Sequence, residues 1–227
     1  MNTLRTVLRD ARLVAGRDLR IEARSRVVID QVLPFAVLVL VLFGFALDAD
    51  HQTLQTFAPG LFWVTVLLSA LLAIQRSASV DSADGTGTSL RMSGLSPVAR
   101  YLGRTAAVLV QLLVLEAVLV GGLVVLYGVS VEEWFLLVLA GVVAGVAVAA
   151  AGTLYGALAS GLRARETLLP ILVLPVLAPV LIGATRAFDD ALGVAAVDGW
   201  AWTGLLAVAA LVLTVVGASA HGALVED

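Results

Sequence analysis

The chain has 227 residues, of which 60% are apolar and only 14% are charged, and its mean hydropathy is +1.03. Soluble domains carry about 25% charged residues, so this composition excludes an ordinary soluble enzyme. Cysteine and lysine are both absent. Their absence excludes thiolate catalysis and a Walker A ATPase site within this chain. The net charge of -3 gives no indication of a nucleic-acid partner.

Six apolar runs are long enough to cross a bilayer, because a transmembrane helix needs about 20 mostly apolar residues. Backbone amides in lipid must be satisfied within the segment, so each run is predicted to be a helix. The sequence therefore predicts an all-α integral membrane protein whose six-helix domain covers residues 27–227. The runs themselves lie at 27–47, 57–75, 105–127, 134–160, 168–184 and 201–220.

The arginines fall almost entirely on one side of these spans. Residues 1–26 hold seven, the loop at 76–104 holds four and the loop at 161–167 holds two, whereas the alternate loops hold only Arg186. Because cytoplasmic loops are enriched in Arg, both termini and the two Arg-bearing loops are predicted to be cytoplasmic. Tryptophan favours the headgroup level and supports the same topology. The tryptophans that begin spans on the predicted outer side are Trp63, Trp134, Trp200 and Trp202.

Residues 1–26 are predicted to form an amphipathic helix that lies along the inner leaflet. Apolar residues recur at helical spacing on one face, and arginines occupy another face. The alternative is a solvated, charged tail. The apolar residues are Leu4, Val7, Leu8, Ala11 and Val14, and the arginines of the other face are Arg5, Arg9 and Arg12.

The loop at 76–104 contains the longest polar stretch and offers the largest surface to a soluble partner. Gly85 and Gly87 interrupt the chain, and a short helix is predicted at 88–92, ended by Gly94. A short helix lying across the ends of two spans would pass rigid-body motion into the membrane. The alternative is a linker with ordinary turn chemistry.

The end of this loop carries the residues that begin the third span. Ser96 is a predicted N-cap, and Pro97 stands at the first helical position, where its missing N–H costs nothing. The helix is therefore predicted to start in the loop and to run unbroken into the membrane.

Glu116 lies at the midpoint of the third span, among apolar residues. A charged carboxylate there costs about 2.5 kcal/mol or more, so the side chain is predicted to face the bundle interior and to be protonated or paired. One interpretation is a proton or substrate site. The other is a protonated carboxyl that forms a hydrogen bond to a neighbouring helix.

Two further patterns concern helix packing. The fourth span carries a stripe of small residues that allows close helix approach, either within one protomer or between two copies. The fifth span contains three prolines, which remove backbone donors and predict a kinked or broken helix. The stripe consists of Gly141, Gly145, Ala149, Gly152 and Gly156, and the prolines are Pro170, Pro175 and Pro179.

His51 and His221 fall on opposite sides of the predicted membrane. They cannot ligate one metal ion or one haem together, so no metal site is predicted and no cofactor is assigned directly to the chain. A single axial contact from one loop histidine, such as His51, to haem stays open.

The stretch F-A-P-G-L-F-W-V-T-V-L-L-S-A-L-L-A-I-Q-R at 57–76 is similar to the second span of the heme exporter protein B family, called CcmB. The next loop resembles that of the family, with a D-x-x-D-G element, a short helix and a proline before the third span. Segments 168–185 and 197–200 also resemble family motifs. The motif residues are Ala58, Pro59 and Gly60 in the span, and Asp81, Asp84, Gly85, Leu90 and Pro97 in the loop beside Ser96.

This resemblance implies a permease-like bundle of the ABC-2 type in the cytoplasmic (inner) membrane, working as a homodimer with the ATPase subunit CcmA. It also implies proximity to CcmC and to the haem chaperone CcmE, with haem as a cargo and ATP used through the partner. The implied role is haem export or ATP-driven release of haem-loaded CcmE during cytochrome c maturation. In the loop, T-G-T-S-L-R-M departs from the acidic or glutamine pair that the family often carries after the glycine.

Three other functions stay open from the residues alone. The same architecture would suit a permease for a lipid or a drug. Glu116 would suit a secondary transporter driven by protons. A scaffold that only holds partners together would need neither property.

Overall fold

A computed structural model describes residues 2–26, 28–46, 51–83, 95–159 and 165–226. These ranges are almost entirely helical and hold no strand, which confirms the all-α prediction. A π-helical turn, Val28–Val32, precedes the second helix. The helices are α1 (Asn2–Ser25), α2 (Leu33–Ala46), α3 (His51–Ala83), α4 (Pro97–Tyr127), α5 (Trp134–Ala159), α6 (Arg165–Ala191) and α7 (Gly199–Glu226).

Six helical stretches within the described residues are long and apolar enough to cross a membrane, as the sequence predicts. Four extend beyond the predicted runs, because the helix continues into polar residues where water and capping groups replace lipid. The stretches are Ile29–Ala46, Gln52–Ile74, Pro97–Tyr127, Trp134–Leu158, Pro170–Ala191 and Gly199–His221.

Hydrogen bonds between helix ends define one end of the bundle. Near the start of α3, the Gln55 side chain donates to the carbonyl oxygen of Gly128, just after α4, at 2.7 Å. The backbone N–H groups of Glu132 and Glu133, before α5, both donate to the carbonyl oxygen of Ala191 at the end of α6. We call this end of the molecule the acidic end, after Glu132, Glu133, Asp189, Asp190 and Asp198.

The opposite end brings together α1, the start of α4 and the final turns of α5 and α7. We call it the arginine end. Every second loop returns to the same side of the bundle, and the even number of spans brings the end of α7 back to the side of α1. Its described arginines on α1, on the residue after it and on the start of α4 are Arg5, Arg9, Arg12, Arg17, Arg20, Arg24, Arg26, Arg100 and Arg104.

Helix α4 has well-defined caps at both ends. Gly128 follows it with a φ of 65°, in the left-handed region, and its N–H donates to the carbonyl oxygen of Leu123. Tyr127, in the last turn, is fully buried and donates through its hydroxyl to the carbonyl oxygen of Leu40 at 2.7 Å. The Tyr127 bond holds the acidic end of α4 against α2.

Helix α5 is the most buried span and forms the centre of the bundle. Small side chains on several faces allow neighbouring helices to approach it closely. α4, α6 and α7 all pack against it. The fully buried alanines of α5 are Ala140, Ala144, Ala147, Ala149, Ala150 and Ala151.

Trp63 is not at the membrane surface, and the prediction that places it there is wrong. It lies well inside α3, is only 1% exposed and packs among the rings of Phe62 and Phe188, with centroid distances of 5.3 and 5.1 Å. Trp134 and Trp200, in the first turns of α5 and α7, are exposed as an interfacial position requires. Apolarity and position in a span do not distinguish a core ring from an interfacial one.

The amphipathic helix predicted at the N-terminus is α1, but its apolar stripe packs partly against protein. Ala11 and Val14 are buried against α4, where Gly103 lets the two backbones approach. Leu8 and Leu13 stay exposed. Part of the apolar stripe therefore packs α1 against the bundle, while other apolar side chains of α1 stay exposed.

Helix α6 is one continuous helix, so the three prolines bend it at most and do not break it. Pro170, Pro175 and Pro179 all lie inside Arg165–Ala191. Proline removes the donor to the carbonyl four residues earlier, but flanking turns and packed neighbours maintain the helix.

Substitution of Gly103 by alanine tests the docking of α1. An added Cβ would lie 2.6 Å from the Cβ of Val14 and against the carbonyl oxygen of Ala11. We expect Gly103→Ala to lower the free energy of unfolding by about 1–3 kcal/mol, the usual range for overpacking. Thermal unfolding of the purified protein in detergent measures the change.

Gly121→Ala is the matched control, since this glycine lies in the same helix and an added Cβ would meet no atom within 4 Å. Here alanine stabilises the helix, or leaves it unchanged, because glycine is the poorer helix former by about 1 kcal/mol. Equal melting temperatures for the two variants would contradict the α1 contact.

Candidate functional site

The segment that leads into α4 folds as its sequence predicts wherever it is described. Ser96 has an extended backbone, and its hydroxyl oxygen accepts from the N–H of Ala99 at 3.2 Å. Pro97 occupies the first helical position, and the helix continues without interruption to Tyr127. The end of the loop is therefore continuous with a membrane-spanning helix.

The remaining residues assigned to the loop are only partly within the described chain. Asp81 lies in the last turn of α3, which ends at Ala83. The short helix predicted at 88–92 lies outside the described residues, as do Asp84, Gly85, Gly87, Leu90 and Gly94.

Tyr101, in the second turn of α4, links three helices. It is completely buried, and its hydroxyl lies 3.0 Å from the carbonyl oxygen of Ala150 on α5 and 3.4 Å from that of Leu213 on α7. The single hydroxyl proton is directed at one of these oxygens at a time. The first turns of α4 therefore contact both α5 and α7 near the arginine end, and the hydroxyl forms a hydrogen bond to one of them at a time.

The surroundings of Tyr101 leave little room for independent movement. Its ring and hydroxyl fill the space at Gly217 on α7, where any larger residue would collide with them. His221, one turn further along α7, stacks at a tilted angle with a ring-centroid distance of 5.6 Å. Sequence reasoning missed Tyr101, and the signal that was available is a polar aromatic residue just inside an N-capped span.

Arg100 and Arg104 lie on either side of Tyr101 along α4, and the Tyr101 ring stacks on His221. His221 is 8% exposed. Its Nδ1 atom and the Nε atom of Arg100 are buried without a hydrogen-bond partner in the part of the chain that the structure describes. The sequence names His221 only as unable to share a metal ion or a haem with His51, and it assigns no role to the two arginines beyond topology.

Glu116 is buried inside the bundle, as predicted, and faces the glycine stripe of α5. Its carboxyl oxygens lie 3.0 and 3.4 Å from the positions that a Cβ would take at Gly141 and Gly145. Oε1 has no hydrogen-bond partner among the described residues, so the predicted bond to a neighbouring helix is not formed through this atom. The two glycines therefore make room for a carboxyl group as well as allowing helix contact.

The aromatic cluster of α3 and α6 lies beside this carboxyl. A Cβ at Gly141 would lie 3.0 Å from Glu116 Oε2 and 3.9 Å from Phe188 Cζ, so these two atoms are at most about 7 Å apart. Trp63 packs on the same phenylalanine, and its Nε1 has no hydrogen-bond partner within the described ranges. Four helices thus meet around a buried acid.

The other motif residues have structural surroundings. Gly152 accepts the side chain of Ile74 from α3, and Gly156 is buried near the arginine end. Ala58 is fully buried, Pro59 lies inside α3, and no atom would obstruct a Cβ at Gly60. At Gly141, Gly145 and Gly152, the small-residue stripe therefore packs against other helices of the same protomer.

A capped helix start, a buried hydroxyl shared between two spans and a close α4–α5 contact connect an external segment to the bundle interior. Groups of three or more side chains able to hold a metal ion are not found in the described ranges.

Comparison with known proteins agrees with this architecture. The CcmB protein family model matches residues 10–226. A heme exporter protein B from Haemophilus influenzae is 32% identical over 185 residues, which are 78% of this chain and 80% of that protein. The proteins of the same name from Pseudomonas aeruginosa and Escherichia coli K12 are each 32% identical, covering 89% and 81% of this chain and 91% and 83% of their own.

The match spans α1 to α7 and includes the proline-rich helix, the capped α4 and the glycine-bearing α5. The family model covers far more than half of the chain. The match to each of the three relatives covers at least 80% of that relative's own length. This multi-pass membrane protein belongs to the CcmB family.

Proposed function

We propose that the chain is the permease subunit of an ABC transporter for cytochrome c maturation, which converts the ATP cycle of a separate ATPase into movement of the bundle. The observation that carries this proposal is the connection at Tyr101. The loop that ends at Ser96 continues directly into α4, and the Tyr101 hydroxyl of α4 lies within hydrogen-bond distance of carbonyl oxygens on both α5 and α7. A partner that moves the loop would therefore move three spans together.

The cargo proposed is haem, because the relatives are named heme exporter protein B. The transporter then either exports haem or uses ATP to release the haem-loaded chaperone CcmE. The partners proposed are the ATPase CcmA, CcmC and CcmE, with a second copy of this chain completing the permease. The bundle of six spans is half of what such a two-fold transporter needs.

The arginine end is proposed to face the cytoplasm, with both chain termini on that side. Its arginines supply the positive charge that cytoplasmic surfaces retain, whereas the acidic end holds five described carboxylates beside Arg186. This orientation presents the loop at 76–104 to an ATPase in the cytoplasm.

Single cysteines test the orientation cleanly, because the chain has none of its own. Ser25→Cys marks the arginine end and Ala196→Cys marks the acidic end, and both positions are exposed. In intact spheroplasts, we expect a membrane-impermeant maleimide to label Ala196→Cys only. Ser25→Cys should react after permeabilisation, and the reverse pattern would exclude the proposed topology.

Tyr101→Phe tests the coupling. The phenyl ring keeps the packing against Gly217, while the hydroxyl contacts to Ala150 and Leu213 are lost, at a cost of about 0.5–1.5 kcal/mol. We expect the complex with CcmA to assemble and to hydrolyse ATP. Holocytochrome c produced per ATP hydrolysed should fall severalfold, since less of the loop motion reaches α5 and α7.

Tyr155→Phe is the control, because Tyr155 is a half-buried tyrosine of α5. It should retain the wild-type ratio of cytochrome to ATP. If Tyr101→Phe also keeps that ratio, the hydroxyl does not couple the helices. If the chain never co-purifies with CcmA, or its absence leaves c-type cytochromes at normal levels, the assignment to this transporter fails.

A further inference from the structure

Glu116 places an acid inside the bundle, and the residues around it do not compensate its charge. The side chain is only 6% exposed, and its carboxyl group occupies the notch that Gly141 and Gly145 leave on α5. Oε1 has no hydrogen-bond partner among the described residues. An ionised carboxylate in such surroundings is unfavourable unless a cation or several donors compensate it.

Three of the helices packed against α4 offer no ionisable side chain along their membrane spans. α2 carries none within Leu33–Ala46, α3 none within Gln52–Ile74 and α7 none within 199–220. α1 packs on α4 at Gly103, which is about 20 Å from Glu116 along the helix axis at 1.5 Å per residue. The arginines of α1 are therefore remote from the carboxyl.

Along α4 and α5 the nearest ionisable side chains are also remote. Arg104 lies about 18 Å and Tyr127 about 16 Å from Glu116 along the axis of α4. Tyr155 of α5 lies about 15 Å beyond Gly145. Neither helix supplies a counter-ion at the depth of the carboxyl.

The ionisable groups of α6 lie towards the acidic end and have partners of their own. Arg186 and Asp189 pair with each other at 3.3 Å, and Asp190 accepts a hydrogen bond from a backbone N–H of α7. Phe188, whose ring lies beside the buried carboxyl, separates them from it in sequence. The Arg186 side chain is 50% exposed, so this pair reaches water. Among the groups that the structure describes, a proton is the remaining ligand for the acid.

The acid lies nearer to the acidic end than to the arginine end. At 1.5 Å per residue, α4 ends at Tyr127 about 16 Å beyond Glu116 but begins at Pro97 about 28 Å before it. On α5, Gly141 lies about 10 Å from Trp134, which is exposed at the acidic end. The shorter path to water therefore leads to the acidic end.

We propose that Glu116 is a reversible proton-binding site that exchanges its proton with the aqueous phase at the acidic end. On release, the proton passes to water and a carboxylate remains in the notch of α5. Because that carboxylate is unfavourable there, proton binding favours the close α4–α5 contact and proton release favours its loosening. This inference goes beyond the proposed function and depends on neither the cargo nor the ATPase.

Infrared spectroscopy tests the site directly, because the carbonyl group of a protonated carboxyl absorbs apart from carboxylates and from peptide bonds. The purified chain is reconstituted into sealed lipid vesicles, and spectra are recorded in mildly acidic to alkaline buffers. We expect a protonated carboxyl band that is present in the wild type and missing in Glu116→Gln. It should shift when D2O replaces H2O and disappear as the pH rises.

The side of exchange is measured by changing only the external pH. The vesicles are prepared with unequal fractions of the two orientations, and maleimide labelling of Ala196→Cys gives the fraction whose acidic end faces outwards. Raising the external pH should remove that same fraction of the band. Gramicidin, which equalises the pH across the bilayer, should then remove the rest.

Two further variants control for other acids and for folding. Glu133→Gln removes an exposed acid at the acidic end and should keep the band. Glu116→Asp keeps an acid on a shorter side chain, so it should retain a protonated carboxyl band at a shifted frequency even if Glu116→Gln does not fold. Melting temperature and gel filtration identify any variant that is unfolded.

Three outcomes would overturn the proposal. Equal bands in the wild type and in folded Glu116→Gln would show that Glu116 holds no proton. A band that persists at every pH would show a purely structural acid that does not exchange. Loss of the fraction whose arginine end faces outwards would place the exchange on the other side. Failure to co-purify with the ATPase would refute the proposed function and leave these results unaffected.

Discussion

The hydroxyl of Tyr101 imposes the constraint on which the account depends. Inside a bilayer a buried hydroxyl must find an acceptor, and the backbone carbonyl groups within its reach belong to two other spans. Satisfying one side chain therefore joins the start of α4 to α5 and α7. Because α4 begins at the end of the polar loop, the same bond ties the end of that loop to the bundle.

The second constraint is the lack of a hydrophobic force between helices in lipid, which leaves close packing and polar contacts to hold the bundle. The glycines and alanines of α5 allow this close packing. Gly152 receives Ile74, while Gly141 and Gly145 make room for the carboxyl of Glu116. The same stripe thus supports packing at one level and a buried acid at another.

Local features were predictable from sequence because their causes are local. Hydropathy gives the six spans, and the Ser-Pro pair gives the start of α4, each through residues adjacent in the chain. The link at Tyr101 was not predictable, because its acceptors lie 49 and 112 residues away. Trp63 was misplaced for a related reason. Only the packing of α3 against α6 shows that its ring is in the core.

The most direct test of the coupling is a distance between α4 and α7 during the ATP cycle. Spin labels at Val98 and Ser219, both exposed at the arginine end, report it by pulsed electron resonance in the assembled transporter. In the wild type we predict one distance that is the same with and without trapped nucleotide, and in Tyr101→Phe a distance that differs between the two states. A wild-type distance that changes with nucleotide as much as that of the variant would contradict the account.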